Sequence, residues 1–158
     1  MHLCNKYKRC DERLNMSANF SQLNRLFAAF DSKVRPVTRR IRSMLIAKRL
    51  GLSPQPTQEL MEKERAEFTD RIMPMLSQQL GTKLYFTGTL ITGYDIQIFC
   101  ELNSIMLFSH GQVEIQLEEH LNLKAWMDRI TIIPEVEELE TRFNAQAKKL
   151  IEVGIEGI

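Results

Sequence analysis

The sequence predicts an all-α bundle of about five helices, and three observations lead there. Apolar residues recur at gaps of three and four through its long segments. No period-two alternation runs far enough to build a sheet. One segment, 94–108, carries apolar residues at ten of its fifteen positions and all round its axis, as the central helix of a bundle does. At 158 residues, 44% hydrophobic and 26% charged, the chain fits one domain or one domain with a tail and can bury a real core.

The first helix is expected over 20–50, with Leu23, Leu26, Phe27, Phe30, Val34, Val37, Ile41, Met44 and Leu45 on its buried stripe. Pro36 removes an N–H and crowds the preceding turn, so a kink or break is expected there. Gly51 follows as a C-cap. The segment GLSPQPT is a turn, after which Ser53 or Thr57 caps a second helix to about residue 80. That helix turns Leu60, Phe68, Ile72, Met75, Leu76 and Leu80 inward, with a second bend at Pro74 and a stop at Gly81. Ser17 and Ser21 read as caps near the chain's start.

The segment from 92 to 108 is the most specifically written. Thr92 stands three residues before Asp95, so the hydroxyl can accept from the N3 amide while the carboxylate reaches back to the N-cap amide. Ile91 and Ile96 hold the positions of a hydrophobic staple. Cys100 falls in this apolar stretch and is expected in the core. Asn122 can cap a short helix containing Leu123, Trp126, Met127 and Ile130. Pro134 opens a last helix with Val136, Leu139, Phe143 and Leu150 on one face, and VGIEGI is expected to fray or to dock on something.

This order of elements, with YFTGTLITGYDIQIFCEL at Tyr85–Leu102, resembles the C-terminal helical domain of glutathione transferases. Phe86, Gly88, Thr92 and Asp95 match that family's turn, cap and box, and Leu123, Trp126, Arg129 and Pro134 match its Trp block. Glu101–Leu102 and the Phe30…Arg35 pattern look most like the theta class, which makes Arg35 and Phe30 candidates for lining a substrate cleft. The box residues Thr92 and Asp95, with Ile91 and Ile96, would be folding elements. LCNKYK at Leu3–Lys8 looks like the end of the family's thioredoxin-like half. The resemblance therefore implies residues 1–16 as that remnant and linker, 17–152 as the helical domain and 153–158 as a tail.

In that family the catalytic Ser, Tyr or Cys and most glutathione contacts lie in the thioredoxin-like half. The resemblance thus assigns this stretch no catalytic residue and no cofactor of its own, and glutathione only where the other half is supplied. The expected function is a non-catalytic interaction or structural subunit, its partner another protein or a second copy covering the surface the other half would occupy. The alternative is the C-terminal part of a theta-like transferase that conjugates glutathione to electrophiles when its N-terminal half is present.

Composition narrows the remaining classes. No apolar run approaches a membrane span of roughly 18 residues, and the start MHLCNKYKRCDER has no secretory h-region. Cys4, Cys10 and Cys100 form no CxxC, which points to a reducing intracellular compartment, cytoplasmic or mitochondrial. His2, His110 and His120 lack metal-ligand spacing, so no metal is expected. Residues 1–50 hold twelve Lys/Arg against three Asp/Glu, whereas the two following thirds are acidic. That asymmetry means either an internal electrostatic match or a basic face at Lys33, Arg35, Arg39, Arg40, Arg42, Lys48 and Arg49. No aromatic pattern interleaves these cations, which weighs against nucleic acid.

Overall fold

The computed structural model describes residues 20–109 and 117–156. The expectations for residues 1–16, Ser17, Cys4, Cys10, His2 and His110 lie outside that range. Two long helical rods come first. The first is α1 (Phe20–Ala29), a π-helical turn (Phe30–Val34) and α2 (Arg35–Arg49). The second is α3 (Gln58–Glu67), another π-turn (Phe68–Ile72) and α4 (Met73–Leu80). Then follow α5 (Gly93–Ser109), a 3-10 turn (Leu117–Glu119), α6 (Leu121–Thr131) and α7 (Pro134–Glu156). Counting each rod once gives five main helices, and among the described residues there is no strand, only a bridge between Tyr85 and Gly88.

The bends expected at Pro36 and Pro74 are taken up as wide turns rather than breaks. Just before each proline the backbone reaches one residue further back than in an α-helix: Arg35 N–H donates to Phe30 O, and Met73 N–H to Phe68 O. Both turns have the same pattern, Phe-x-x-x-Val/Ile-x-Pro, at Phe30, Val34, Pro36 and at Phe68, Ile72, Pro74. The Phe and the β-branched residue are buried in both. The extra residue re-aims the rod so that apolar residues on both sides of the proline point into one core.

Helix ends follow local chemistry. Leu50 N–H donates to Ile46 O and Leu52 N–H to Ala47 O, both at 2.9 Å, around Gly51 at φ 62°. This glycine-centred closure satisfies the last carbonyls of α2. Thr57 Oγ1 accepts from Leu60 N at 3.2 Å to start α3, and Gly81 at φ 58° ends α4.

The core lies between α2 and α5, with α6 across one end. Val37, Ile41 and Leu45 face Ile98, Leu102 and Ile105 in one buried cluster, and Leu123, Trp126 and Ile130 of α6 complete it. Truncating any of the large members to Ala costs about 2–5 kcal/mol. Polar ties hold the same layers. Glu101 accepts from Thr38 Oγ1 at 3.0 Å and Arg42 Nη1 at 3.2 Å, joining α5 to α2. Arg40 reaches Glu64 at 2.9 Å and Glu67 at 3.1 Å, joining α2 to α3. Two of the seven cations, Arg40 and Arg42, thus pair with acids of the following segments, so part of the charge asymmetry is an internal match.

Several expectations change. Leu60 is exposed rather than on the buried stripe, because α3 is short and begins at the solvent edge. Leu139 and Phe143 are 62% and 42% exposed, although Phe143 meets Phe108 of α5 edge-on at 6.5 Å, because a concavity separates the two helices beside them. Cys100 is exposed for the same reason, so α5 is open along one flank rather than covered all round. The last helix runs to Glu156.

Candidate functional site

Asp95 is fully buried in the first turn of α5 and accepts four hydrogen bonds. Oδ2 takes Thr92 N at 3.0 Å and Thr92 Oγ1 at 2.8 Å, while Oδ1 takes Phe86 N at 2.9 Å and Trp126 Nε1 at 3.1 Å. A buried carboxylate needs such a full set of donors. The Thr92 hydroxyl donates to the carboxylate, whereas the sequence pattern has it accepting from the Asp95 amide. Phe86 N–H is available because Tyr85 and Gly88 close a tight turn through two 2.9 Å backbone bonds, with Gly88 at φ 133°. Ile91 is buried and Ile96 half-buried beside this turn. The arrangement is a structural junction of the Phe86 turn, α5 and α6. All of its donors face one carboxylate, and no reacting atom could approach it.

From this junction an aromatic chain runs toward the first π-turn. Trp126 meets Phe86 edge-on at 5.1 Å, Phe86 meets Tyr94 at 5.5 Å, and Tyr94 meets Phe30 at 6.0 Å and Phe27 at 5.5 Å. Beside Tyr94 the molecule opens into a cavity of about 290 Å³. Phe30 and Val34 of the π-turn, Met75 of α4 and the Tyr94 ring form its apolar walls, with Lys33 and Gln79 contributing polar groups. The Tyr94 hydroxyl pairs with the Gln79 amide at 3.2–3.3 Å. Burial pushes the Tyr94 hydroxyl above its ordinary pKa, and the neighbouring Asp95 charge adds to that against the opposing Gln79 bond. Tyr94 is therefore held as a phenol, able to donate, to higher pH than a free tyrosine.

The structure separates the two cleft candidates. Phe30 is buried and lines this cavity. Arg35 is outside its lining, with its guanidinium 5.6 Å from the Phe30 centroid and an ion pair to Asp31 at 3.0 Å. Tyr94 and Gln79 were not singled out from sequence, and Lys33 only as one cation of the basic run, because the three come from three elements with no common spacing.

Residues 69–130, from the second π-turn through α6, match the family model described as glutathione S-transferase, C-terminal domain. The chain carries a glutathione S-transferase C-terminal-like domain. Neither the curated proteins nor the solved structures yield a match. The matched stretch of this transferase-like domain contains the Asp95 junction and Tyr94, but not the first rod.

On the open flank of α5 the transferase-like domain has a second concavity, of about 250 Å³. Ile96, Phe99 and Cys100 form one wall, and Val136, Leu139 and Phe143 of α7 the other. Glu140 lies in the groove and Glu137 is exposed on the same helix. Although Cys100 is exposed as a residue, partial desolvation of its thiol and then the Glu101 charge push its pKa up, which does not activate it as a nucleophile. Among the described residues no group of His, Cys, Asp and Glu could hold a metal, and no helix is long and apolar enough to cross a membrane.

Asn122 serves the start of its own helix, as read in the sequence, through Oδ1 accepting from Leu123 N at 2.9 Å, and it has a second role. His120 precedes the helix as its N-cap residue, and Asn122 sits one turn position inside. Its Nδ2 donates to Ser77 O at 2.8 Å and Gly81 O at 3.1 Å, while Ser77 Oγ donates to its Oδ1 at 2.8 Å. The amide therefore closes the C-terminal end of α4, where carbonyls lack helical partners.

Proposed function

We propose that this transferase-like domain is a non-catalytic interaction module that receives an amphipathic helix of another protein in the α5–α7 groove. The observation that carries this reading is the open groove itself: Leu139 and Phe143 project apolar surface beside Cys100, although the same helix buries Val136. Anchors at helical spacing are what an amphipathic helix offers such a groove. Glu137 and Glu140 favour a partner with basic residues flanking its apolar stripe. Theta-like affinity, a reducing intracellular location and division at residues 1–16, 17–152 and 153–158 belong to this same proposal.

The natural thiol in the groove supplies the test. In a chain carrying Cys4→Ser and Cys10→Ser, alkylation of Cys100 is compared between the purified protein and the native assembly. The proposal expects Cys100 to be labelled in the first and protected in the second, with protection lost in Phe143→Glu. Equal labelling in both would overturn it. The alternative, an enzyme completed by a thioredoxin-like half, would instead show as glutathione-dependent turnover of an electrophile by the native species.

A further inference from the structure

We infer that the cavity between the first π-turn and α4 is a binding site for a small organic carboxylate with an aromatic or branched apolar body. The inference is independent of the α5–α7 groove.

The apolar part of the ligand is specified by Phe30, Val34 and Met75, and the volume of about 290 Å³ suits a molecule of one ring and a short chain. The head group is specified by charge. Lys33 lines the cavity with its side chain exposed and has no acidic partner among the described residues. The nearest acidic residue in sequence, Asp31, is held by Arg35 on the far side of Phe30. No lining residue is acidic, so an anion entering meets one lining cation, opposed by the Asp95 charge felt at the Tyr94 hydroxyl behind the wall.

The neutral donors point the same way. Tyr94 is almost wholly buried and lines the cavity, and its hydroxyl pairs with Gln79, another lining residue, at 3.3 Å, longer than an O–H donor ordinarily reaches. A carboxylate oxygen is a stronger acceptor than an amide oxygen and would take that proton in a shorter, charge-assisted bond. The Gln79 Nε2 group then remains as a second donor. Ala29, small and exposed, stands at the mouth and leaves it open.

The test is calorimetric titration of the full chain with 3-phenylpropionate at low salt, against neutral 3-phenylpropionamide. The carboxylate should bind about tenfold more tightly than the amide, the size of effect expected from one charge-assisted contact. Lys33→Gln should remove most of that preference. Tyr94→Phe should weaken the carboxylate by about tenfold, corresponding to one lost hydrogen bond to a charged group. Ala29→Phe, a surface substitution that touches neither polar group, should block both probes while Trp126 fluorescence stays native. Absence of carboxylate binding at millimolar concentration would overturn the inference, as would equal affinity for the amide or undiminished binding by Ala29→Phe.

Discussion

Trp126 Nε1 donates to Asp95 Oδ1 at 3.1 Å, and both side chains are fully buried. This bond joins α6 to the first turn of α5 across 31 residues of chain. It makes Asp95 more than a helix cap. Asp95→Ala leaves Phe86 N–H, Thr92 N–H and the indole N–H without their acceptor in a dry site, each at a cost of about 1–3 kcal/mol. The expected loss is on the order of 4 kcal/mol, above the roughly 0.5–2 kcal/mol of an ordinary cap. Trp126→Phe, which removes one donor of four, should cost about 1–2 kcal/mol from the bond together with some lost packing. Denaturant titrations followed by far-UV circular dichroism decide this. An Asp95→Ala loss no larger than that of Thr57→Ala would show that the junction adds nothing to a cap.

Asn122 gives a prediction that weighs its two contributions, the Leu123 N–H it accepts at the start of α6 and the α4 carbonyls its amide donates to. Were it the N-cap of α6, Asp would replace it with little loss, since anions suit a helix N-terminus. In the structure its amide donates to Ser77 O and Gly81 O at the carbonyl end of α4. Asn122→Asp would put a negative charge against those carbonyls, so it should destabilise more than Asn122→Ala, itself about 1–2 kcal/mol. Melting temperatures of the two variants at neutral pH give the order. If Asp is the milder change, the α4 contact is not what Asn122 contributes.

These two residues also show what sequence carries and what it does not. Thr92 and Asp95 are three apart, a spacing that alone brings the carboxylate within reach of Thr92 N–H. The bonds from Phe86 and Trp126 depend on how three elements meet, and no local rule contains that. Asn122 was read as serving its own helix, which it does; that its amide also ends α4 depends on how the two helices meet. The periodicity of Leu139 and Phe143 was visible, but periodicity says which residues share a face and not whether that face is covered. Pro36 and Pro74 marked where the rods change direction. That both changes are π-turns required the backbone. The cavity was not legible, because its walls come from residues 29–34, 75–79 and 94.

Tyr94 predicts a pH dependence. Its folded pKa is raised, by burial first, above the unfolded value of about 10. The folded state thus holds this proton when the unfolded state has released it. The contribution is fully present below pH about 10 and is lost as pH rises through the folded value. Tyr94→Phe should flatten the alkaline limb of the stability curve, by up to about 1.4 kcal/mol per pH unit where only the unfolded tyrosine is ionised. At neutral pH the variant should lose about 1 kcal/mol or less, for the Gln79 bond. Denaturation midpoints at pH 8 and above pH 10 check both. Parallel alkaline limbs would mean that Tyr94 ionises alike in both states.

The α5–α7 groove can be tested without any partner. Val136 and Leu139 are neighbours on one face of α7, but the first is 8% exposed and the second 62%. Val136→Glu would bury an unpaired carboxylate and should cost about 3 kcal/mol or more. Leu139→Glu leaves its charge in water and should change stability by no more than about 0.5 kcal/mol. If the groove closes in solution because α7 collapses onto α5, the two substitutions would cost similar amounts at every protein concentration. If a second copy fills it, Leu139→Glu would lower the melting temperature only at concentrations where the native chain self-associates. A groove waiting for a different protein predicts neither: a large loss at Val136, almost none at Leu139, and a melting temperature independent of concentration.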